Sequence, residues 1–199
     1  MSETNLAPTK EEIALLAPFE RLALERIELV STEAEAERAI AEMAGVRVFG
    51  FDTESKPTFA KGEVSDGPHI VQLSTVGKAW IFQLHDLACR QRLAECLASH
   101  ESLKVGFGLG DDKRRIQSKL GVEAYGVVDL NATFRKLGYR KDIGVKAAIA
   151  IMFGKRFPKS GKASTSNWAA RQLSESQLLY AASPRAACTR AAAYASFAA

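Results

Sequence analysis

Asp52 and Glu54 stand two residues apart at the end of the apolar run Val46-Arg47-Val48-Phe49-Gly50-Phe51. Residues two apart on an extended strand face the same side, so both carboxylates would project together, about 6–7 Å apart at Cα. Oxygen ligands so placed suit a hard cation such as Mg²⁺ or Mn²⁺. An isolated Asp-x-Glu more often just opens a solvated loop, so the rest of the chain has to decide. Asp111 and Asp112 form a second acidic pair ahead of Lys113, Arg114 and Arg115. Acids in the first turn of a helix satisfy its dipole and free amides, and alone this pair reads as structural. Lys155, Arg156, Lys159, Lys162 and Arg171 run without acidic neighbours, and no Asp or Glu follows Glu175. Such a stretch is a solvated face or a phosphate contact, and the second reading needs a catalytic site nearby.

These side chains need elements to hold them. The run from Val46 reads as a buried strand, because β-branched and aromatic residues fill it almost continuously. Thr9-x-x-Glu12 and Thr32-x-x-Glu35 have the form of capping boxes. They predict a short helix to about Ala17, where Pro18 interrupts it, and a longer one to about Met43. Ile27, Leu29 and Val30 predict a strand between the two helices, and residues 55–68, with Pro57, Gly62, Gly67 and Pro68, predict a loop. His69–Thr75 and Lys78–Leu84 alternate apolar and polar residues about Gly77, as a hairpin does. Further helices are expected over Leu87–Ser99, Asp112–Leu120 and residues 143–153, and strands over Leu103–Gly108 and Val127–Leu130. Residues 154–166 read as a basic loop and residues 174–197 as a long alanine-rich helix. This order gives an α/β fold, a mixed sheet of about five strands flanked by helices, with functional groups at strand ends. The expected division is an N-terminal helical extension, 1–24, and a main domain, 25–199.

With 199 residues, 47% of them hydrophobic, the chain can bury a full core. No apolar run approaches the ~20 residues that a bilayer span needs. Glu3, Glu11, Glu12 and Glu20 stand where a secretory leader would carry a basic start and an apolar centre, so a cytoplasmic location without a membrane partner is expected. Three cysteines predict reduced thiols; Cys89 and Cys96, seven apart in a helical pattern, predict core residues rather than zinc ligands. A net charge of +4 is compatible with a polyanionic partner. Gly106-x-Gly108-x-Gly110 has the wrong spacing for a dinucleotide fingerprint, and Gly161-Lys162-Ala163 lacks the hydroxyl residue that closes a P-loop.

Three ordered segments together carry more than any one of them. Phe51-Asp52-Thr53-Glu54, then Val105-Gly106-Phe107-Gly108-Leu109-Gly110-Asp111-Asp112, then Ser166-Asn167-Trp168 with Leu173-Ser174 and Gln177-Leu178-Leu179-Tyr180-Ala181-Ala182 follow one another along the chain. In these segments the chain resembles the DEDD superfamily of 3′-5′ exonucleases. The likeness is to its tyrosine-containing branch, which includes ribonuclease D, the proofreading domain of DNA polymerase I and the Werner syndrome exonuclease. It spans roughly residues 25–190. The resemblance implies a ribonuclease H-like fold and hydrolysis of DNA or RNA from single-stranded 3′ ends to nucleoside monophosphates. It also implies Mg²⁺ or Mn²⁺ held by Asp52, Glu54 and Asp112, with Tyr180 positioning the attacking water. Lys155, Arg156, Lys159 and Lys162 are then candidate contacts to the nucleic acid.

One position departs from the pattern. The family expects an aspartate four residues after its tyrosine, and this chain has Pro184, followed by Arg185. The family holds two ions; one is expected here, because a second would be left with few protein oxygens. Activity is then reduced, or lost to leave a nucleic-acid-binding module of the same fold, or rescued by another acid such as Asp111 or Asp129.

Overall fold

In the computed structural model, residues 5–59, 65–157, 165–182 and 188–190 are described. Helix α1 (Lys10–Leu15) starts from a capping box in which Thr9 and Glu12 each bond the other's backbone amide. It leads into the short strand β1 (Ala17–Pro18). Strand β2 (Ile27–Val30) and helix α2 (Glu33–Glu42) follow, and Thr32 and Glu35 form the second capping box. Next come β3 (Val48–Glu54), β4 (Ile70–Ser74), β5 (Ala79–Gln83), α3 (Leu87–Ala98), β6 (Leu103–Gly106) and α4 (Gly110–Leu120). The succession continues with β7 (Val127–Asp129), α5 (Leu130–Lys136), α6 (Gly144–Phe153) and β8 (Lys155–Arg156). Residues 175–182 form a further helix, α7, and residues 188–190 are helical.

Among the described residues the main sheet has six strands in the order β2-β5-β4-β3-β6-β7, with β7 forming one edge. β4 runs antiparallel to β3 and β5, while β2, β6 and β7 join by parallel pairing, so the sheet is mixed as expected. Register fixes the two faces. Phe49, Phe51, Val71, Leu73, Trp80 and Phe82 share one face and pack against Ala36 and Ala39 of α2, Cys89, Leu93 and Leu97 of α3 and Ile116 of α4. On the other face Ile70 and Ile81 meet Trp168, Tyr180 and Ala181, and Val105 meets Leu130 and Cys188. Every residue of β4 and β5 is buried, Gln72, Ser74 and Gln83 included. The hairpin predicted from the alternation forms, and both of its faces are covered because it is central in the sheet.

The stretch expected to be a basic loop begins as a strand. β8 pairs in parallel with β1, and the Arg156 Nε donates to the Leu16 carbonyl at 3.0 Å. Phe19 then packs with Ile149 and Phe157, so the N-terminal segment is fastened to α6 and β8.

Candidate active site

β3 carries Asp52 and Glu54 on the face that Trp168 and Tyr180 cover, since Asp52 registers with Gln72 and Glu54 with Ile70. β6 runs parallel on the other side of β3. Its last residue must be glycine: a Cβ on Gly106 would lie 2.5 Å from the Phe51 carbonyl oxygen, closer than real side chains come. This close approach, followed by Gly108 at a φ of 71°, brings the first turn of α4, and with it Asp112, to the rim of β3. Asp129 secures the turn. One of its oxygens accepts from the amides of Gly108 at 3.0 Å and Leu109 at 3.2 Å, and the other from Asn131 at 2.9 Å, where it caps α5. Asp129 is thus committed to the backbone, and an acid between a short strand and a helix was the sequence signal for that role.

Asp112 is buried and accepts a hydrogen bond from the Thr53 hydroxyl. The Thr53 amide donates to the Asp52 carboxylate at 2.9 Å. Thr53, the middle residue of Asp-x-Glu, therefore touches both acidic segments, and attention to the carboxylates alone passes it over. Burial first, and the charge of Asp112 second, push the Glu54 carboxyl up to about 7, while the Arg115 guanidinium pulls the other way. Asp112 is also raised by burial, against the opposing Thr53 hydrogen bond and Arg115. Two carboxyls that each hold a proton tightly, under mutual repulsion, offer oxygen donors that suit a hard dication in place of those protons. Among the described residues, however, no three His, Cys, Asp or Glu side chains are grouped to hold a metal ion. The acids seen to act on each other are Glu54 and Asp112; Asp52 shares the strand face with Glu54 without completing such a group.

Tyr180 is half-buried on α7. Ser174 and Gln177 form the capping box that starts this helix, with the Ser174 hydroxyl accepting from the Gln177 amide at 3.3 Å and the Gln177 side chain accepting from the Ser174 amide at 3.0 Å. The Tyr180 ring lies against Trp168 with centroids 5.9 Å apart, over the sheet face of Ile70, the cross-strand partner of Glu54. Further along, the Thr189 hydroxyl accepts from the Gly50 amide at 2.8 Å and donates to the Ser74 carbonyl at 3.0 Å, bridging β3 and β4.

Asp52 and Glu54 thus share one face at the end of β3, Asp112 is tied to that strand through Thr53, and Tyr180 lies on the covering helix over Ile70. Of the predicted basic residues, Lys155 is exposed on β8, Arg156 donates to the Leu16 carbonyl, and Lys159 and Lys162 lie outside the described residues. Pro184 and Arg185 lie outside them too, as does part of the helix expected over 174–197. Asp111, the other alternative acid, is exposed and paired with Arg114.

A family model described as 3′-5′ exonuclease matches residues 27–183. A curated Arabidopsis thaliana protein named 3′-5′ exonuclease is 26% identical over 141 residues, 70% of this chain and 49% of that protein. The chain therefore spans about half the length of that relative. Among solved structures, the Aedes aegypti Nibbler EXO domain superposes with a TM-score of 0.68 at 22% identity, covering 83% of this chain and 85% of that one. Trypanosoma brucei RNase D in complex with RNA U12 gives 0.73 at 20% identity over 84% and 61% of the two chains. Escherichia coli RNase D, an exoribonuclease involved in structured RNA processing, gives 0.73 at 17% identity over 86% and 44%. At such identities these superpositions establish the fold.

Proposed function

The chain belongs to the 3′-5′ exonuclease family, and on that premise we propose that it shortens single-stranded nucleic acid from the 3′ end, releasing nucleoside monophosphates. The observation that supports this reading best is the approach of Glu54 on β3 and Asp112 on α4 at the end of that strand, close enough for the charge of Asp112 to act on Glu54. We assign Glu54 and Asp112, with Asp52 on the same strand, to holding Mg²⁺ or Mn²⁺. When bound, such an ion supplies charge to the phosphoryl oxygens and lowers the pKa of a water nucleophile.

The chain's own groups do the rest. Glu54 and Asp112 must give up their protons to become ligands, and the Thr53 hydroxyl, by donating to Asp112, offsets part of the rise that burial imposes on that carboxyl. The Tyr180 hydroxyl, with its ring steadied by Trp168, is assigned to orient the attacking water. RNA is the first substrate to test, since one structural relative is described in complex with RNA.

The test is incubation of 5′-labelled single-stranded RNA and DNA with folded protein and Mg²⁺ or Mn²⁺. A ladder shortening from the 3′ end is the expected result. No shortening in either metal rejects catalysis. A second reading, a nucleic-acid-binding module without turnover, is favoured by Pro184 in place of the fourth carboxylate and by the lack of a three-ligand group among the described residues. Salt-sensitive binding without cleavage would establish it.

A further inference from the structure

Arg115 stands three residues after Asp112 on α4, so the two side chains lie on one helix face. Its Nη1 is 3.4 Å from the hydroxyl of Ser55, the residue that follows Glu54. The guanidinium therefore spans the gap between α4 and the end of β3, and its charge acts on both Glu54 and Asp112. Several other arginines are occupied. Arg114 is paired with Asp111, Arg92 with Glu33, Glu37 and Glu95, and Arg135 with Asp142. Arg115 is exposed, and none of the ion pairs among the described residues includes it. A planar group with five N–H donors, one of them in a long contact to a hydroxyl, has its fork open to solvent at the mouth of an acidic site.

We propose that Arg115 is the phosphate-binding residue of this site, its fork receiving two oxygens of the terminal phosphodiester as that group reaches Glu54 and Asp112. The inference rests on the exonuclease reading. It adds a nucleic-acid contact on α4 to the Lys155–Lys162 stretch singled out in the sequence. A polyanion approaching three carboxylates is repelled, and a guanidinium beside them offsets that repulsion where it is largest. Arginine suits the task better than lysine because its planar fork matches two phosphoryl oxygens at once.

This role has effects of opposite sign. Without Arg115, phosphate loses its partner, but the carboxylates lose a neighbouring positive charge and so attract a divalent cation at least as well as before. A residue that only braced α4 against the loop after β3 would instead weaken both kinds of binding. The experiment uses Arg115→Ala, Arg115→Lys and, as a control with the same change of charge on the outer side of the helix, Arg114→Ala. Binding of a 5′-labelled single-stranded oligonucleotide is measured by anisotropy at low salt in EDTA, and Mn²⁺ binding is measured separately by titration without nucleic acid. Arg115→Ala should bind the oligonucleotide at least about tenfold more weakly, as expected for one lost charge-assisted contact. Arg114→Ala should stay within about threefold, and Arg115→Lys should recover part of the loss. Mn²⁺ affinity of Arg115→Ala should be equal to or higher than that of the parent. Equal oligonucleotide affinity in Arg115→Ala and Arg114→Ala, with a parent that binds, overturns the assignment and leaves the exonuclease reading intact. Joint loss of melting temperature, Mn²⁺ affinity and oligonucleotide affinity shows a brace and overturns it as well. A parent protein that binds no oligonucleotide overturns both readings.

Discussion

Thr53 donates its hydroxyl hydrogen to the carboxylate of Asp112, so the residue between two candidate ligands on β3 is what fastens the third, on α4, to that strand. Both groups are buried. Thr53→Val keeps the shape and removes the donor, which should cost about 1–3 kcal/mol in urea unfolding. Because that hydrogen bond lowers the Asp112 pKa, the variant's carboxyl should hold its proton more firmly. Mn²⁺ binding should then weaken more at acidic than at alkaline pH, while Thr53→Ser behaves like the parent. A Thr53→Val variant whose Mn²⁺ affinity matches the parent's at every pH would show that Asp112 is held by something else.

The pH dependence of stability has a definite sign at Glu54. Its carboxyl titrates at about 7 in the folded protein against an ordinary 4.5. As pH rises from about 4.5 to about 7 the unfolded chain loses the proton first, so this group's contribution to stability falls across that window and levels off above it. Asp112, raised as well, acts in the same direction. Subtracting the melting curves of Glu54→Gln from those of the parent should isolate the descent, and added Mn²⁺ should shrink it. A flat difference curve between pH 4.5 and 7 would contradict the burial and charge described for Glu54.

Gly106→Ala tests the close approach of β6 to β3. The new methyl would meet the Phe51 carbonyl, which is backbone and cannot turn aside. A loss of at least about 1–3 kcal/mol is expected, in the range of overpacked cores. Mn²⁺ affinity should fall with it, since Asp112 enters through this turn. A variant as stable as the parent would mean that β3 and β6 separate at no cost.

Much of this arrangement was legible from local chemistry. The two Thr-x-x-Glu boxes start α1 and α2, Asp52 and Glu54 share a strand face, and Cys89 is a core residue, because capping and strand alternation act within a few residues. What the sequence did not reveal depends on distant partners. The polar residues Gln72, Ser74 and Gln83 of the hairpin are buried, with the Gln83 side chain donating to the Ala170 carbonyl and Thr189 to the Ser74 carbonyl, partners that lie 87 and 115 residues away in the chain. Lys104 is fully buried in β6, its Nζ donating to the Ser99 and Ser102 carbonyls, which no pattern of alternation announces. The Arg156 Nε donates to the carbonyl of Leu16, 140 residues away in the chain, a contact that the basic run around it does not announce.

Pro184 follows Tyr180 by four residues, the spacing at which an aspartate was expected from the family resemblance, and Pro184→Asp would supply a backbone amide and a carboxylate at that position. The expected outcome is tighter Mn²⁺ binding and a gain of exonuclease activity of at least about tenfold. Metal titration and oligonucleotide hydrolysis beside the parent check it. Equal activity in the two proteins would place the missing ligand elsewhere.

Thr189 joins the amide of Gly50 to the carbonyl of Ser74, and its neighbour Cys188 packs with Val105 and Leu130. A hydroxyl and a thiol, neither of them a candidate ligand, thus anchor residues 188 and 189 to the sheet, the hydroxyl across β4 and the strand that carries Asp52 and Glu54, so the spacing of β3 and β4 is set partly from a chain segment 115 to 139 residues away.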